Sequence, residues 1–335
     1  MHWPKTTVQT PQGPKPAIAP LVISASRTTD IPAFHAKWFM NRLRAGYCLW
    51  QNAFNAHQQQ YVSFEKCQVF VFWSKNPQAL MPCLSEIEER GYQYYFQYTL
   101  NDYEQEGLEP RIPKLAHRIA TFQKLSERIG KHRIIWRFDP IIMGNTLTVE
   151  SVLERIQRLA DQLAPYTGKL VFSFLDLYKK TENNLKKFDS RLRPPSDEEA
   201  LRLVEGIVQI NKSLISPLML STCAEKLDLH LLGIRHNKCV DPDLILRLCP
   251  TSPEIRNRYA KPLLSQQGSL LPLAQALGND DIKDVGQRTP CGCAPSKDIG
   301  RYNTCMHLCV YCYANQSETA VINGINSVDV NSERL

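Results

Sequence analysis

Residues 133–176, RIIWRFDPIIMGNTLTVESVLERIQRLADQLAPYTGKLVFSFLD, decide the fold class. Arg133 to Phe138 is a β-branched and aromatic run closing on Asp139-Pro140, and a proline stops a strand because it brings no N–H to the ladder. From Val149, apolar residues return at 152, 153, 156, 159, 160 and 163, the recurrence of a helix that buries one face. Thr148 stands where an N-cap belongs, and Gly168 lies just beyond the end. Leu170 to Leu175 is a second apolar run, closing on Asp176. A strand, a helix of this length and another strand make a right-handed crossover between parallel neighbours.

The same pattern continues on both sides. Leu21 to Ser26 ends in Arg27, Thr28, Thr29 and Asp30; Val69 to Trp73 ends in Ser74, Lys75, Asn76 and Pro77. Tyr94 to Leu100 ends at Asn101 and Asp102, and Leu218 to Thr222 ends at Cys223, Ala224 and Glu225. Leu115, Ile119, Phe122, Leu125 and Ile129 form a helical stripe stopped by Gly130, and Ser196 with Glu199 reads as a capping box opening a third helix. Six strands alternating with helices predict an α/β fold, a full or partial parallel (β/α) barrel of TIM type with a C-terminal cysteine-rich loop. No GxGxxG or Walker-type loop follows a strand, which counts against a doubly wound nucleotide-binding sheet.

The expected organisation is a poorly ordered Pro-rich tail over 1–20, the barrel over 21–285, a cysteine-rich cluster segment over 286–320 and a tail over 321–335. His230 to Val240 is expected to hold a seventh strand, Asp241 to Leu248 a helix, Ser265 to Leu277 an insertion, and Ala314 to Ile325 a short last helix. With 43% apolar and 22% charged residues, the chain is neither disordered nor fibrous. Its apolar runs fall far below the ~18 residues of a membrane helix. The first twenty residues hold five prolines and do not read as a signal peptide, so a cytoplasmic location without membrane contact is expected. The net charge of +7 includes Lys179-Lys180, Lys186-Lys187 and Arg191 to Arg193, read as a solvated polar loop.

Cysteine usage carries the chemistry. Of eleven cysteines, Cys291, Cys293, Cys305, Cys309 and Cys312 fall within 22 residues. An odd, clustered set without a secretory leader suits metal ligation better than a disulfide framework. Cys305-Met-His-Leu-Cys309-Val-Tyr-Cys312 has the spacing C-x3-C-x2-C with Tyr311 before the last thiol. Three thiolates on one loop reach three corners of an iron–sulfur cube and leave one iron for a non-protein ligand. Cys291 and Cys293, with Cys223 and Cys239, would form a second, four-thiol site for an auxiliary iron–sulfur cluster or zinc, the alternative being ordinary burial of Cys223 and Cys239. Cys48, Cys67, Cys83 and Cys249 read as core packing.

The motif C-x3-C-x-aromatic-C resembles that of radical S-adenosylmethionine (SAM) enzymes, which are built on full or partial (β/α) barrels. The resemblance implies a [4Fe–4S] cluster on Cys305, Cys309 and Cys312, SAM on the fourth iron, Tyr311 near the adenine and a flavodoxin- or ferredoxin-type electron donor. A narrower resemblance covers most of residues 21 to 316. Ile23-Ser-Ala-Ser-Arg27-Thr-Thr-Asp30-Ile-Pro, Phe72-Trp-Ser-Lys75-Asn76-Pro, Phe96-Gln-Tyr-Thr, Trp136-Arg137-Phe-Asp139-Pro and Cys291-Gly-Cys293-x2-Ser296-x-Asp298-Ile-Gly300 carry it, with Tyr311-Cys312-Tyr-Ala-Asn. Together they are similar to a bacterial family catalogued as domain of unknown function 1848, which implies no established reaction. The cysteine loop stands last in the chain, whereas in radical SAM enzymes it follows the first strand. No Gly-Gly-Glu segment follows the first strand to supply the usual contact with the methionine end of SAM.

In a barrel the C-terminal ends of strands line the active mouth. Arg27, Asp30, Arg137, Asp139, Asp176 and Glu225 are therefore the candidate catalytic groups, and Lys75 and Asn76 candidate cofactor contacts. Arg27 and Arg137 would clamp a carboxylate or phosphate, suiting a small-molecule or nucleotide-like substrate; the alternative is a salt-bridge network round the rim. The expected function is SAM-dependent radical chemistry. The alternatives are a non-catalytic iron–sulfur or zinc protein for electron transfer or redox sensing, with His307 or Cys293 as the fourth zinc ligand, and a nucleic-acid binder with a structural metal. The last lacks a continuous basic face or a reader motif.

Overall fold

In the computed structural model, which describes residues 3–223, 225, 229–260, 283–284, 286–288 and 291–335, strands account for every apolar run quoted above. The chain opens with β1 (Lys5–Thr10) and β2 (Gly13–Ile18), then enters the main sheet at β3 (Val22–Ala25). β4 (Tyr47–Asn52) and β5 (Asn55–Ser63) return to the opening strands. β6 (Val69–Ser74), β7 (Gln93–Thr99), β8 (Ile134–Ile141), β9 (Lys169–Phe174), β10 (Met219–Thr222), β11 (Arg235–His236) and β12 (Lys297–Asp298) complete the main sheet. Its order is β11-β10-β9-β8-β7-β6-β3-β12, with every pairing parallel.

Among the described residues this eight-stranded sheet does not close, so the full-barrel alternative is not formed: β11 and β12 are edges. Both faces are nevertheless buried, which is why the strands read as continuous apolar runs. Phe70 and Phe72 of β6 face the large core with the helices. Val69 and Val71, one residue out of step, face a second core that includes Leu244, Ile245, Cys239, Cys291 and Cys293.

The helices are α1 (Ile31–Phe34), α2 (Ala36–Ala45), α3 (Leu84–Glu89), α4 (Leu115–Ile129), α5 (Val149–Leu163), α6 (Lys179–Phe188), α7 (Asp197–Ser213), α8 (Pro242–Leu248), α9 (Pro253–Tyr259) and α10 (Glu318–Asn326). The predicted punctuation holds where side chains make it. Thr148 Oγ1 accepts from Ser151 N–H, Ser196 and Glu199 form the capping box, and Gly130 ends α4 at φ 87°. No described helix is long and apolar enough to cross a membrane.

Four expectations need correction. The Pro-rich lead-in holds β1 and β2, paired antiparallel in a second sheet of order β1-β2-β5-β4. The lysine pairs at 179–180 and 186–187 lie on α6, not in a loop. The seventh strand shrinks to the two residues of β11. The C-terminal tail packs back: Trp38 donates to Ser332 O at 3.0 Å, Tyr61 donates to Glu333 Oε2 at 3.2 Å, and Leu335 is buried. The insertion expected at Ser265–Leu277 lies outside the described residues.

Candidate functional site

The cysteine loop lies across the C-terminal ends of β3 and β6 because one carboxylate ties all three. Asp30 caps α1 through Ala33 N–H at 3.0 Å and accepts from Ser74 Oγ at 2.7 Å, Lys75 N–H at 2.8 Å and His307 Nε2 at 2.8 Å. His307, between Cys305 and Cys309, is thus buried against Asp30, and its Nδ1 has no hydrogen-bond partner. Left-handed residues at Asn303 (φ 58°) and Leu308 (φ 53°) turn the loop, and Leu308 precedes the second cysteine. Val310 N–H to Leu108 O at 2.9 Å and Asn315 Nδ2 to Cys305 O at 2.9 Å fix its flanks.

The three thiols of this loop feel one another. Burial pushes Cys305 up to about 12, with Asp30 and Cys312 adding to the rise. Burial lifts Cys309 well above the ordinary thiol range, and Glu109, Cys312 and Cys305 push the same way against Lys75. Burial also raises Cys312, whose Sγ accepts from Ala314 N–H at 3.3 Å. Thiols held this way are poor free nucleophiles, whereas iron or zinc would take them as thiolates.

Lys75 Nζ lies 2.6 Å from Glu109 Oε1 and 3.0 Å from Tyr311 OH, which also donates to Glu109. Asn101 Nδ2 reaches Tyr311 OH at 3.1 Å and Asp139 O at 3.0 Å, and Arg118 stands 3.7 Å from Glu109 Oε2. Burial disfavours both charges, yet the Lys75 ammonium holds Glu109 below the usual carboxylate range, and Glu109 and Cys309 hold Lys75 above its own. Tyr311 is therefore clamped at its hydroxyl. Asn76 sits beside this network with its Oδ1 unpartnered.

The second cysteine group assembles from distant segments. Cys223 Sγ lies 3.7 Å from Cys239 Sγ. The Cys239, Cys293 and Cys291 thiols influence one another's ionisation in turn. Cys293 Sγ accepts from Cys239 N–H at 3.1 Å, and Cys239 Sγ accepts from Arg137 Nη1 and Asn237 Nδ2, each at 3.1 Å. The neighbouring Cys293 thiol draws the Cys291 thiol down to about 7. Among the described residues no three His, Cys, Asp or Glu side chains already form a group that would hold a metal ion.

Arg137 joins the two cysteine groups. It pairs with Asp139, which also accepts from Ser173 Oγ, and Asp139 N–H donates to Asn101 Oδ1 at 2.9 Å. Burial alone would raise Asp139, but Arg137 holds it below the ordinary range. Arg27 and Arg137 each lie over the Trp73 ring, 5.1 and 5.4 Å from its centre, so this partly buried indole meets two cations. Arg27 N–H donates to Asp298 Oδ2 at 2.8 Å, while its Nη2 is buried without a partner.

Two candidates stand apart. Asp176 is exposed and paired with exposed Arg288. Glu225 accepts Phe174 N–H at 2.8 Å, and burial raises it to about 7. Sequence reading missed Glu109, Arg118, Asn101, Ser173 and Asp298 as partners of the candidates. Asn101, at a strand end, and Asp298, in a quoted motif, carried a signal; the other three did not. A cavity of about 720 Å³ lies nearby, lined by Trp50, Phe54, Asp298, Gly300, Tyr302 and Arg334 but by none of the cysteines.

A family model described as Domain of unknown function (DUF1848) matches residues 22–314. The chain belongs to this family. The DUF1848 match begins at the first residue of β3 and ends two residues beyond Cys312, so it takes in the main sheet and both cysteine groups. The opening strands β1 and β2 and the last helix α10 fall outside it. No curated protein and no solved structure matches the chain.

Proposed function

We propose that the chain is a radical SAM-type iron–sulfur enzyme, with a [4Fe–4S] cluster on Cys305, Cys309 and Cys312. The observation that carries this is one loop that bears three thiols and is tied through its His307 and Asp30 to the ends of parallel strands. The donor set suits such a cluster: soft thiols, an N–H···S bond at Cys312, and a buried ammonium, Lys75, near Cys309 to offset thiolate charge. Held by Cys305, Cys309 and Cys312, such a cluster would supply the electron for reductive cleavage of SAM ahead of hydrogen abstraction from a substrate.

The chain's own residues bind and orient. Tyr311, held at its hydroxyl by Glu109, Lys75 and Asn101, offers a fixed ring edge beside the last two ligands. Arg27, with its buried free Nη2, and Arg137 would meet an anionic small molecule or nucleotide-like substrate at the rim. Asp139, kept ionised by Arg137 and accepting the Ser173 hydroxyl, would hold a substrate amine or hydroxyl. A cytoplasmic setting, with a flavodoxin- or ferredoxin-type donor, completes the reading.

Anaerobic reconstitution with iron and sulfide counted tests the cluster. Alanine at Cys305, Cys309 or Cys312 should each abolish one full cubane complement and its visible absorption. Protein purified anaerobically with zinc on this loop and no iron would remove the proposal.

A further inference from the structure

The open sheet has two unpaired edges, and the second cysteine group lies where the chain crosses between them. Cys223 follows β10 and Cys239 follows β11 at one edge; Cys291 and Cys293 precede β12 at the other. The segments already touch, with Ala294 N–H donating to Val240 O at 2.9 Å and Val240 N–H to Cys293 Sγ at 3.5 Å. Tyr95 OH and Gln97 Nε2 anchor Cys239 O, each at 2.8 Å, to the inner face of β7.

We propose that Cys223, Cys239, Cys291 and Cys293 hold one zinc ion that staples the two edges of the open sheet together. Four thiols gathered from both edges, three of them buried, with Cys223 Sγ 3.7 Å from Cys239 Sγ and Cys293 Sγ on the Cys239 backbone N–H, are a tetrathiolate donor set of the structural-zinc type. The spacing of Cys223 and Cys239 favours a single ion over a second cube. A tetrahedron with metal–sulfur bonds of ~2.3 Å has sulfur–sulfur edges of about 3.8 Å, and Cys223 to Cys239 is 3.7 Å. The ligand sulfurs of a cube, each on its own iron, stand farther apart. Binding would release the thiol protons and leave two net negative charges. Buried Arg137, on Cys239 Sγ, and partly buried Arg27, in the field of Cys293 and Cys239, are the cations that offset them. Donors to Cys239 from Asn237 and to Cys293 from the backbone supply the outer hydrogen bonds that metal thiolates use.

The test is elemental analysis of the full chain purified anaerobically and dialysed against a mild chelator, with variants Cys223→Ser and Cys293→Ser. One retained zinc per chain is expected, lost in both variants and kept when Cys305, Cys309 and Cys312 are replaced by alanine. Cobalt exchange of the unmutated protein should give the spectrum of a tetrahedral tetrathiolate, a readout that survives if a serine variant fails to fold. Zinc absent from the native protein, a second complement of iron on these thiols, or cobalt bound without thiolate charge-transfer bands would each overturn the proposal. Failure of the iron–SAM reading leaves these outcomes unchanged, because they concern other thiols and another metal.

Discussion

Asp30→Asn is the substitution that most sharply probes how the cysteine loop is held. Asp30 is 6% exposed and accepts four hydrogen bonds. Asparagine can keep the two made by Oδ1, the α1 cap and the Ser74 hydroxyl, since it is as good a cap as aspartate. Its amide nitrogen then replaces Oδ2 and faces Lys75 N–H, donor against donor. The His307 ring can adapt by moving its proton to Nδ1, but that atom is buried with no acceptor. One charge-assisted bond is lost outright and one buried donor is left unpaired, a cost of about 1.5–3 kcal/mol. Urea unfolding of the metal-depleted chain, followed by iron uptake on reconstitution, reads both consequences. The expected result is that loss of stability together with slower or incomplete iron incorporation. A change below about 0.5 kcal/mol, the range of an ordinary surface substitution, with normal iron uptake would refute Asp30 as the tie between sheet and loop.

Other perturbations separate the remaining contacts. Gly324→Ala would place its Cβ 1.9 Å from the backbone oxygen of Asn303, forcing α10 off the start of the cysteine loop, whereas Gly206→Ala meets only the movable tip of Leu153. Thermal unfolding should show about 1–3 kcal/mol lost at Gly324 and less at Gly206; equal losses would count against the close approach. Lys75→Met leaves buried Glu109 with the neutral Tyr311 and Asn101 donors and with Arg118 at 3.7 Å in place of its close ion pair, and should cost about 3 kcal/mol, the low end for a broken buried pair. A neutral outcome in denaturant titration would contradict that pairing. Arg193 holds the Glu199 carboxylate down to about 2, so its contribution is present above its unfolded pKa and is lost as pH falls through about 2. Glu199→Gln should therefore flatten the acid limb of the stability–pH curve below about pH 4.5 and leave the neutral region's slope unchanged.

The legible parts were those written in local pattern. The α5 stripe, the Thr148 cap and the Ser196–Glu199 box need only neighbouring residues, and each stands as read. The parallel sheet was legible because strands buried on both faces are apolar throughout. Its failure to close was not, because β11 and β12 have two residues each, too few for any period. The opening strands were hidden for a different reason. β2 carries Gly13, Pro14 and Pro16, residues that ordinarily argue against a strand, and β5 is largely polar. At the candidate site, grouping by strand end brought Asp30, Lys75, Arg137 and Asp139 into one connected network but misplaced Asp176, whose carboxylate turns outward to Arg288. Glu109 sits in a loop between Leu108 and Pro110, and only tertiary structure brings it under Tyr311.

The central claim is that Cys305, Cys309 and Cys312 hold a cluster able to cleave SAM, and one measurement addresses it directly. The reconstituted protein, reduced with dithionite under anaerobic conditions, is incubated with SAM and assayed for 5′-deoxyadenosine. 5′-Deoxyadenosine is expected from the native protein and none from the Cys309→Ala variant. An intact, reducible cluster that yields no 5′-deoxyadenosine would contradict it.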